Sequence, residues 1–438
     1  MSRLLLLMTT TTYRASAFLE AARRLDLPVV VGSERPQALA AANPAGHLTL
    51  DFSAPESATR AIVEFAEDYP ISAVVAADDD GVILGAMAAA ALALPHNPVA
   101  AVVDARNKYR MREVTAAAGI PSPPFTRVSI RDDPAEVASR VCFPCVVKPL
   151  SLSASRGVIR TDDAPQFVAA FRRVAAIIQR ADVSPSPGTG GHQILVESFI
   201  PGMEVALEGL LTRGNLRVLA LYDKPDPLDG PFFEETMYVT PSRLSTAVQE
   251  AIFARTAAVA AALGLREGPV HAELRVNAQG PWLLEIAPRS IGGLCSRTLR
   301  FGPGITLEEL IVRHALARDV ASFEREREAA GVMMIPIPHA GILREVFGQQ
   351  EAREVPGVED LRLTIPPGQE VVPLPEGSKY LGFIFARDPT PEGVEAALRE
   401  AHRRLTFHIV PPETGVSPSN RLSEVGPSGE TLRLLGRR

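Results

Sequence analysis

The sequence predicts a multidomain α/β protein. At 438 residues the chain is too long for one ordinary core, and its length favours about three domains. Apolar runs typical of strands alternate with helical segments between Arg3 and about Arg106. A second alternation of this kind begins at Val332. Both patterns are typical of helices packed on sheets.

The first predicted domain, residues 1–105, has a parallel α/β layer. Its segments are "LLLLM", the helix "ASAFLEAARRLD", "PVVVGS" and "ISAVVAADDDG", followed by an alanine-rich helix. No G-x-G-x-x-G follows the first strand, so the fingerprint of a dinucleotide site is missing. The layer is therefore predicted without a role for NAD.

The second predicted domain, residues 106–330, contains a small subdomain of about residues 113–195. A helix that begins near Asp104 stops at Gly119 and a proline cluster. The subdomain continues with the strand "CVVKPL", the loop "SLSASRG", the strand "VIR" and a helix from about Ala164 to Arg180. After a surface loop, "DVSPSPGTGGH", come strand-rich segments, a helix of about residues 245–263 and a hairpin.

Residues 331–412 form the third predicted domain, with "GVMMIPIP", "YLGFIFA" and the helix "TPEGVEAALREAHRRL". The remaining residues, 413–438, are rich in Pro, Ser and Gly and are expected to be a flexible tail.

Composition disfavours several classes of partner. A net charge of -6 gives no bulk attraction to nucleic acid or to an anionic membrane. The apolar runs are too short for a signal-peptide core or a membrane span. Three cysteines cannot build a disulfide scaffold, and an odd count suits a reducing compartment. We therefore expect a cytoplasmic protein without nucleic-acid or membrane partners, and a homodimer is left open.

The stretch "HAELRVNAQGPWLLEIAPRS" carries the first candidate site. Asn277 and Gly280 are typical of a hairpin turn, and if Val276 faces Trp282, then Glu273 lies opposite Glu285. Like charges in that position destabilise a sheet, so the two carboxylates need a raised pKa or a shared cation. We interpret the pair as a cation site.

Lysine is scarce, with Lys108, Lys148, Lys224 and Lys379 as the four examples among 45 basic residues. Lys148 ends an apolar strand and precedes the small-residue loop that contains Ser155 and Gly157. Backbone amides of such a loop can bind an anion, so a lysine beside it suits phosphate. The alternative is an ordinary surface lysine, and the loop is not a P-loop.

Three further side chains are candidates for the same site. Glu197 and Glu204 flank a short linker whose backbone could face a purine, with Glu204 able to accept bonds from ribose hydroxyls. Strand alternation puts Arg289 on the same face as Glu285, where it suits a phosphate or carboxylate oxygen. A salt bridge from Arg289 to Glu273 or Glu285 is the structural alternative.

The order of these residues resembles the ATP-grasp superfamily over about residues 104–304. The shared series is a lysine before a small domain, a lysine before a small-residue loop, an E-x-F-I-x-G-x-E hinge, then Glu, a turn and E-x-x-x-R. The resemblance implies an ATP-grasp fold with an N-terminal parallel α/β domain and a C-terminal α+β ligase domain. It implies phosphate contacts from Lys108 and Lys148, adenine between Glu197 and Ile200, and ribose on Glu204. Glu273 and Glu285 would bind Mg²⁺, with Mn²⁺ as an alternative.

One position departs from the pattern. Many ATP-grasp enzymes have E-x-N where this chain has Ala287, so a usual second-metal ligand is absent. The C-terminal domain resembles that of the L-amino acid ligases, which tolerate a small residue there. In that branch Arg289, Gly292 and Gly293 would face the substrate. His271 either borders the same pocket or is a structural histidine.

The resemblance implies an ATP-dependent carboxylate–amine ligase that acts through an acyl phosphate. Its substrates would be a small carboxylic acid and an amine, both amino acids, so that the product could be a dipeptide. Arg289 would be the catalytic cation. Two alternatives remain: a carboxylase of the same superfamily, and an ATP-binding regulator without catalysis, which Ala287 favours.

Overall fold

The structure is a computed structural model that describes residues 3–36, 45–180, 183 and 191–411. Most of the predicted loop "DVSPSPGTGGH" and the whole predicted tail, residues 413–438, lie outside the described residues.

A parallel four-stranded sheet forms the N-terminal domain, as the sequence predicts. Its order is β3-β2-β1-β4. Four consecutive leucines of its first strand, Leu4 to Leu7, are completely buried, because helices cover both faces of the sheet. The elements are β1 (Arg3–Leu7), α1 (Ala15–Arg24), β2 (Val29–Ser33), β3 (His47–Thr49), α2 (Pro55–Asp68), β4 (Ile71–Ala76), α3 (Val82–Ala91) and α4 (Val99–Arg106).

The helix predicted to begin near Asp104 is divided in two at Asn107. There α4 ends and α5 (Lys108–Ala117) begins. The Asn107 side chain accepts hydrogen bonds from the amides of Tyr109 and Arg110, which caps the new helix. The break places Lys108 in the first turn of α5, and Arg112 follows one turn later on the same face.

The lid subdomain is an antiparallel sheet of order β5-β8-β6-β7 with helix α7 packed on it. All five residues of the strand that carries Lys148 are buried. The elements are β5 (Phe125–Ser129), α6 (Pro134–Ala138), β6 (Cys145–Pro149), β7 (Ile159–Thr161), α7 (Ala164–Ile178) and β8 (Gln193–Ser198).

The central part of the chain builds the second large sheet, against which the long helix α8 packs. The hairpin predicted around Asn277 is present as β12 and β13. The elements are β9 (Met203–Thr212), β10 (Asn215–Asp223), β11 (Met237–Thr240), α8 (Thr246–Leu263), β12 (Gly268–Asn277), β13 (Gly280–Ala287), β14 (Arg300–Phe301), β15 (Ile305–Thr306) and α9 (Leu307–Ala315).

The C-terminal domain extends this sheet. The full order is β13-β12-β9-β10-β11-β16-β20-β18, so the hairpin and the C-terminal strands belong to one eight-stranded sheet. A separate small sheet has the order β19-β17-β21. The C-terminal elements are β16 (Ala329–Ile335), β17 (Gly341–Phe347), α10 (Gln349–Arg353), β18 (Val358–Leu363), β19 (Glu370–Val371), β20 (Gly382–Asp388), α11 (Pro391–Arg404) and β21 (Thr406–Val410).

Within the described ranges, no helix has both the length and the apolar character that a bilayer crossing requires.

Candidate active site

The lid sheet and the central sheet enclose a cleft with about 930 Å³ of space, including its open mouth. We call it the nucleotide cleft. Its walls carry ten of the predicted site residues: Lys108, Lys148, Ser155, Glu197, Ile200, Glu204, His271, Glu273, Glu285 and Arg289. Residues from β6, β8, β12 and β13 therefore converge although they are far apart in sequence.

The hairpin register explains how two glutamates face this cleft. Glu273 lies opposite Glu285, as predicted, but the predicted pairing of Val276 with Trp282 is wrong. Val276 pairs with Pro281 in the structure, and a β-bulge between Glu273 and Leu274 shifts the register by one residue. A bulge inserts one extra residue into one strand. The predicted register is therefore wrong by one residue near the turn, and the bulge restores the predicted pairing at Glu273 and Glu285.

Each of these glutamates has a cationic partner. The Lys108 ammonium lies 3.1 Å from an oxygen of Glu285, and it also donates to the carbonyl of Leu152 at 2.8 Å. The ammonium of Lys224 lies 3.5 Å from Glu273. Both glutamates keep about a quarter of their side-chain surface exposed to the cleft. Like-charge repulsion is thus offset by separate lysines.

Lys148 takes part in a buried charge cluster in which two cations share one carboxylate. Its ammonium donates to Glu197, and the Arg112 guanidinium donates to the same carboxylate at 2.9 Å. Burial alone would raise the pKa of Glu197, but Arg112 and Lys148 outweigh it and lower that pKa to about 2. Burial and Arg112 lower the pKa of Lys148. The cluster carries net positive charge, which suits an anionic ligand.

Lys224 occupies the centre of a second buried cluster. Its ammonium contacts three carboxylates, which belong to Glu204, Glu235 and Glu273. Oxygens of these three glutamates lie within 4.8 Å of one another, close enough to share a metal ion. Glu285 is not one of the three, so the structure groups Glu273 with partners other than the predicted one.

The charge of this second cluster is negative. Burial opposes the charge of Lys224, but the surrounding glutamates outweigh burial and hold its pKa well above the usual value. Burial and the neighbouring Glu273 raise the pKa of Glu235 to about 7. Lys224, together with Arg275 on Glu204, supplies two cations for three carboxylates, so the cluster has room for further positive charge.

Both carboxylate oxygens of Glu204, the predicted ribose ligand, are engaged. One accepts from Lys224 at 2.7 Å, and the other accepts from the Arg275 guanidinium at 3.1 Å. Arg275 also donates to the carbonyl of Ile200 at 2.9 Å. Phe199 and Phe233 stack beside that arginine, with ring centroids 6.3 Å apart. This end of the cleft is lined by planar groups, namely two phenyl rings and a guanidinium, which suit stacking of a nucleotide base.

His271 lies between two carboxylates. Nδ1 lies 3.2 Å from Glu208, and Nε2 lies 3.5 Å from Glu273. Burial alone would lower the pKa of His271, but Glu208 and Glu273 outweigh it and raise that pKa. Glu208 is completely buried and also accepts from the amide of Ile291 at 3.0 Å. Glu208 therefore orients the histidine ring and fixes the start of the loop that carries Gly292.

Arg289 forms its salt bridge with Asp79, at 2.8 Å, so the predicted alternative of a bridge to Glu273 or Glu285 is wrong. Asp79 follows β4 in the N-terminal domain and also contacts Arg106 at 3.0 Å. Burial alone would lower the pKa of Arg289, but Asp79 outweighs it and raises that pKa. The arginine is charged and is held by another domain.

The loop after β6 closes over the cleft. Ser155 and Gly157 both have positive φ angles, of 53° and 73°. A Cβ on Gly157 would lie 2.9 Å from Cγ of Pro149, so this position requires glycine. Ser155 lines the nucleotide cleft, whereas Gly157 supports the loop from behind.

A second cleft, with about 1150 Å³ of space, lies beside the first. We call it the substrate cleft. Gly292 and Gly293 line it, as do the loop after β1 and the segment Ser378 to Tyr380. The two clefts share part of their walls, namely Ser153, Ala154, Glu235, His271, Glu273 and Arg289.

Sequence reasoning missed several residues of the site. Asp79 had a signal, because it follows a parallel strand at the edge where α/β sheets bind ligands. Arg112 stands one turn after Lys108, and Lys224 is one of four lysines, so both had weaker signals. For Glu208 and Glu235 the sequence has no signal that separates them from other glutamates.

Three family models match this chain. An ATP-grasp N-terminal domain matches residues 19–96, an ATP-grasp domain matches residues 141–298, and L-amino acid ligase C-terminal domain 2 matches residues 333–410. With two packed sheets around a cleft rich in lysine and glutamate, these matches define the class. The chain belongs to the ATP-grasp superfamily, and the predicted fold is confirmed.

Its C-terminal domain matches the C-terminal domain of the L-amino acid ligases. The L-amino acid ligase from Bacillus licheniformis has a similar structure, with 27% identity, a TM-score of 0.77, and coverage of 94% of this chain and 99% of that one. Dapdiamide A synthase from Enterobacter agglomerans is 29% identical over 230 residues, 52% of each chain. Alanine–anticapsin ligase from Bacillus amyloliquefaciens is 24% identical over 286 residues, 62% of this chain and 58% of that one. The chain thus spans a little over half the length of these two relatives.

Proposed function

We propose that the protein is an ATP-dependent carboxylate–amine ligase that forms an amide bond through an acyl phosphate and releases ADP and phosphate. The observation that carries this proposal is the shared wall of the two clefts. Glu273 and Arg289 line both of them. A phosphoryl group at the end of the nucleotide cleft would therefore meet a carboxylate in the substrate cleft.

We place ATP in the nucleotide cleft with its base beside two aromatic rings and its phosphates beside two lysines. The aromatic pair Phe199 and Phe233 offers stacking surface for adenine. Glu204 lies nearby, where ribose hydroxyls could compete for its oxygens. Lys148, which is bonded to Glu197, and Lys108, which lies beside Glu285 on the hairpin, supply cations for the phosphates, and the positive charge of the Lys148 cluster supports that assignment.

The carboxylates present fit a magnesium ion. Glu273 and Glu285 are hard oxygen donors, both partly exposed to the cleft, and the cluster around Glu273 has excess negative charge. Mg²⁺, when bound, would neutralise the triphosphate and favour phosphoryl transfer. Lys108, which lines the cleft beside Glu285, would then be free to contact phosphate oxygens. Ala287 contributes no ligand atom, so Glu273 and Glu285 would hold the ion without a third residue from the hairpin.

The chain's own residues position two substrates. The acid carboxylate attacks the γ-phosphorus to give an acyl phosphate and ADP. The amine then attacks the carbonyl, and phosphate leaves as the amide forms. Arg289, which Asp79 holds in place, would stabilise negative charge that develops on the carbonyl oxygen. His271 and the loop of Gly292 and Gly293 would shape the substrate cleft.

Amino acids are the proposed acid and amine, and a dipeptide is the proposed product. The branch and the three named relatives support this choice. We also propose a cytoplasmic location, since the three cysteines are free thiols.

A hydroxylamine trap tests the reaction class. With ATP, Mg²⁺ and a screen of common amino acids, hydroxylamine in place of the amine should yield a hydroxamate and ADP. Arg289→Ala should lose most of this product while it retains nucleotide binding. Bicarbonate-dependent turnover would favour a carboxylase instead. Release of AMP and pyrophosphate, or no turnover with any acid, would refute the acyl phosphate ligase.

A further inference from the structure

The substrate cleft has a cation that the proposed reaction does not use. Lys379 lies in the segment between β19 and β20, and its side chain is exposed in the wall of that cleft. The other three lysines of the chain are buried in charge clusters of the nucleotide cleft. Lys108 and Lys148 line the nucleotide cleft and Lys379 lines the substrate cleft, so three of the four lysines border a cleft.

The substrate cleft contains acidic side chains that have no cationic partner among the described residues. Five carboxylates line it: Asp78, Asp79, Asp80, Glu235 and Glu273. Arg289 and Arg106 pair with Asp79, and Lys224 pairs with Glu235 and Glu273. In the part of the chain that the structure describes, Asp78 and Asp80 form no ion pair. Arg14 and Arg289 also line it, but Arg14 donates to the carbonyl of Ala77 and to the Ser290 hydroxyl, and Arg289 is paired with Asp79. Within the described ranges, Lys379 forms no ion pair and donates no hydrogen bond. It is therefore the cation of this cleft that is available to a ligand.

Three contacts hold the segment that leads into Lys379. The carbonyl of Pro375 accepts from the amide of Gly157 in the lid loop at 2.9 Å. Glu376 forms a two-bond ion pair with Arg173 on the lid helix, at 2.6 and 2.8 Å. A Cβ on Gly377 would lie 1.8 Å from the carbonyl oxygen of Val372, so the turn that precedes Lys379 requires glycine.

These contacts tie the segment to the lid. They also keep the Lys379 backbone beside the lid loop that covers the nucleotide cleft. The backbone at Lys379 is therefore ordered before a ligand binds, so that binding costs only the conformational entropy of the side chain.

We propose that Lys379 binds the carboxylate of the amine substrate. Asp78 and Asp80, the lining carboxylates without an ion pair, favour the amine end of that substrate and repel a free carboxylate, so a cation is needed where the carboxylate lies. The substrate class is then an α-amino acid or peptide with a free carboxylate, and the product keeps that carboxylate. This inference rests on the proposed ligase function and identifies its specificity-determining residue.

Paired acceptors test it. After the hydroxylamine trap has identified an acid, each common L-amino acid is compared with its carboxamide as the amine substrate. Wild type should prefer the free carboxylate. Lys379→Met should raise KM for the amino acid by about tenfold, the effect expected for one charge-assisted contact. Its kcat, its KM for ATP and its hydroxamate yield should stay near those of wild type. The carboxamide should be used equally by both proteins.

Further variants separate charge from packing. Lys379→Arg should restore most of the preference, whereas Lys379→Glu should favour the carboxamide. Arg131→Ala, at an exposed position of the lid, is the matched control and should change neither KM value.

Three results would overturn the assignment. An unchanged preference in Lys379→Met would remove the residue from recognition. A higher KM for ATP with an unchanged KM for the amine would assign Lys379 to the nucleotide. If wild type forms a hydroxamate, either of these two results overturns the role of Lys379 and leaves the ligase function in place. If wild type forms no hydroxamate with any acid, the ligase function and the role of Lys379 are overturned together.

Discussion

The buried cluster of Arg112, Lys148 and Glu197 allows a quantitative prediction for Glu197→Gln. The Glu197 carboxylate is 4% exposed and accepts from both cations. A carboxyl group whose pKa falls from 4.5 to about 2 is held ionised by about 3 kcal/mol, since one pKa unit corresponds to about 1.4 kcal/mol. Loss of one partner from a buried pair commonly costs about 3–5 kcal/mol. We therefore expect Glu197→Gln to lower the free energy of unfolding by about 3 kcal/mol at pH 7.

The pH dependence has a defined sign. The folded-state pKa of Glu197 is lowered, so its contribution is present above about pH 4.5 and is lost as the pH falls towards 2. The difference between wild type and Glu197→Gln should consequently shrink as the solution is acidified below pH 4.5.

Urea unfolding measures both quantities. Wild type and Glu197→Gln are compared at pH 7 and at several values below pH 4.5, with Glu250→Gln as the control, because Glu250 is exposed on α8. The control should change the free energy of unfolding by less than about 0.5 kcal/mol. A loss below about 1 kcal/mol in Glu197→Gln, or a difference that does not depend on pH, would refute the reasoning.

Three further predictions concern ligands. Lys148→Met should leave the urea midpoint equal or higher, since burial and Arg112 lower the pKa of Lys148. The same variant should bind ATP about tenfold more weakly by calorimetry. An unchanged affinity would remove Lys148 from the phosphate site. Mg²⁺-ATP should raise the melting temperature of wild type, and Glu273→Gln or Glu285→Gln should each lose most of that gain; full gains in both would exclude the hairpin as the metal site. Asp79→Asn should slow hydroxamate formation without a change in ATP affinity, because Asp79 positions Arg289 from another domain. A rate equal to that of wild type would show that this ion pair has no role in the reaction.

Local patterns in the sequence predicted much of the fold. The apolar runs, the proline and glycine stops and the Asn277 turn predicted the parallel N-terminal sheet, the lid helix, the long helix α8 and the hairpin. Such features depend on neighbouring residues, so the sequence carries them directly. The division of one predicted helix at Asn107 was missed, although Asn is a preferred N-cap residue and its partners, the amides of Tyr109 and Arg110, are local.

The spacing of motif residues also determined which side chains gather at the nucleotide cleft, since their order along the chain resembles that of the superfamily. What each one contacts was decided by the tertiary structure. Arg289 meets Asp79 across 210 residues, and Arg112 meets Glu197 across 85. An ion pair between distant segments depends on how domains pack, and neither periodicity nor composition records that packing. The same holds for Lys379: the sequence showed that it is one of four lysines, and the packing of its loop on the lid brought it to the substrate cleft.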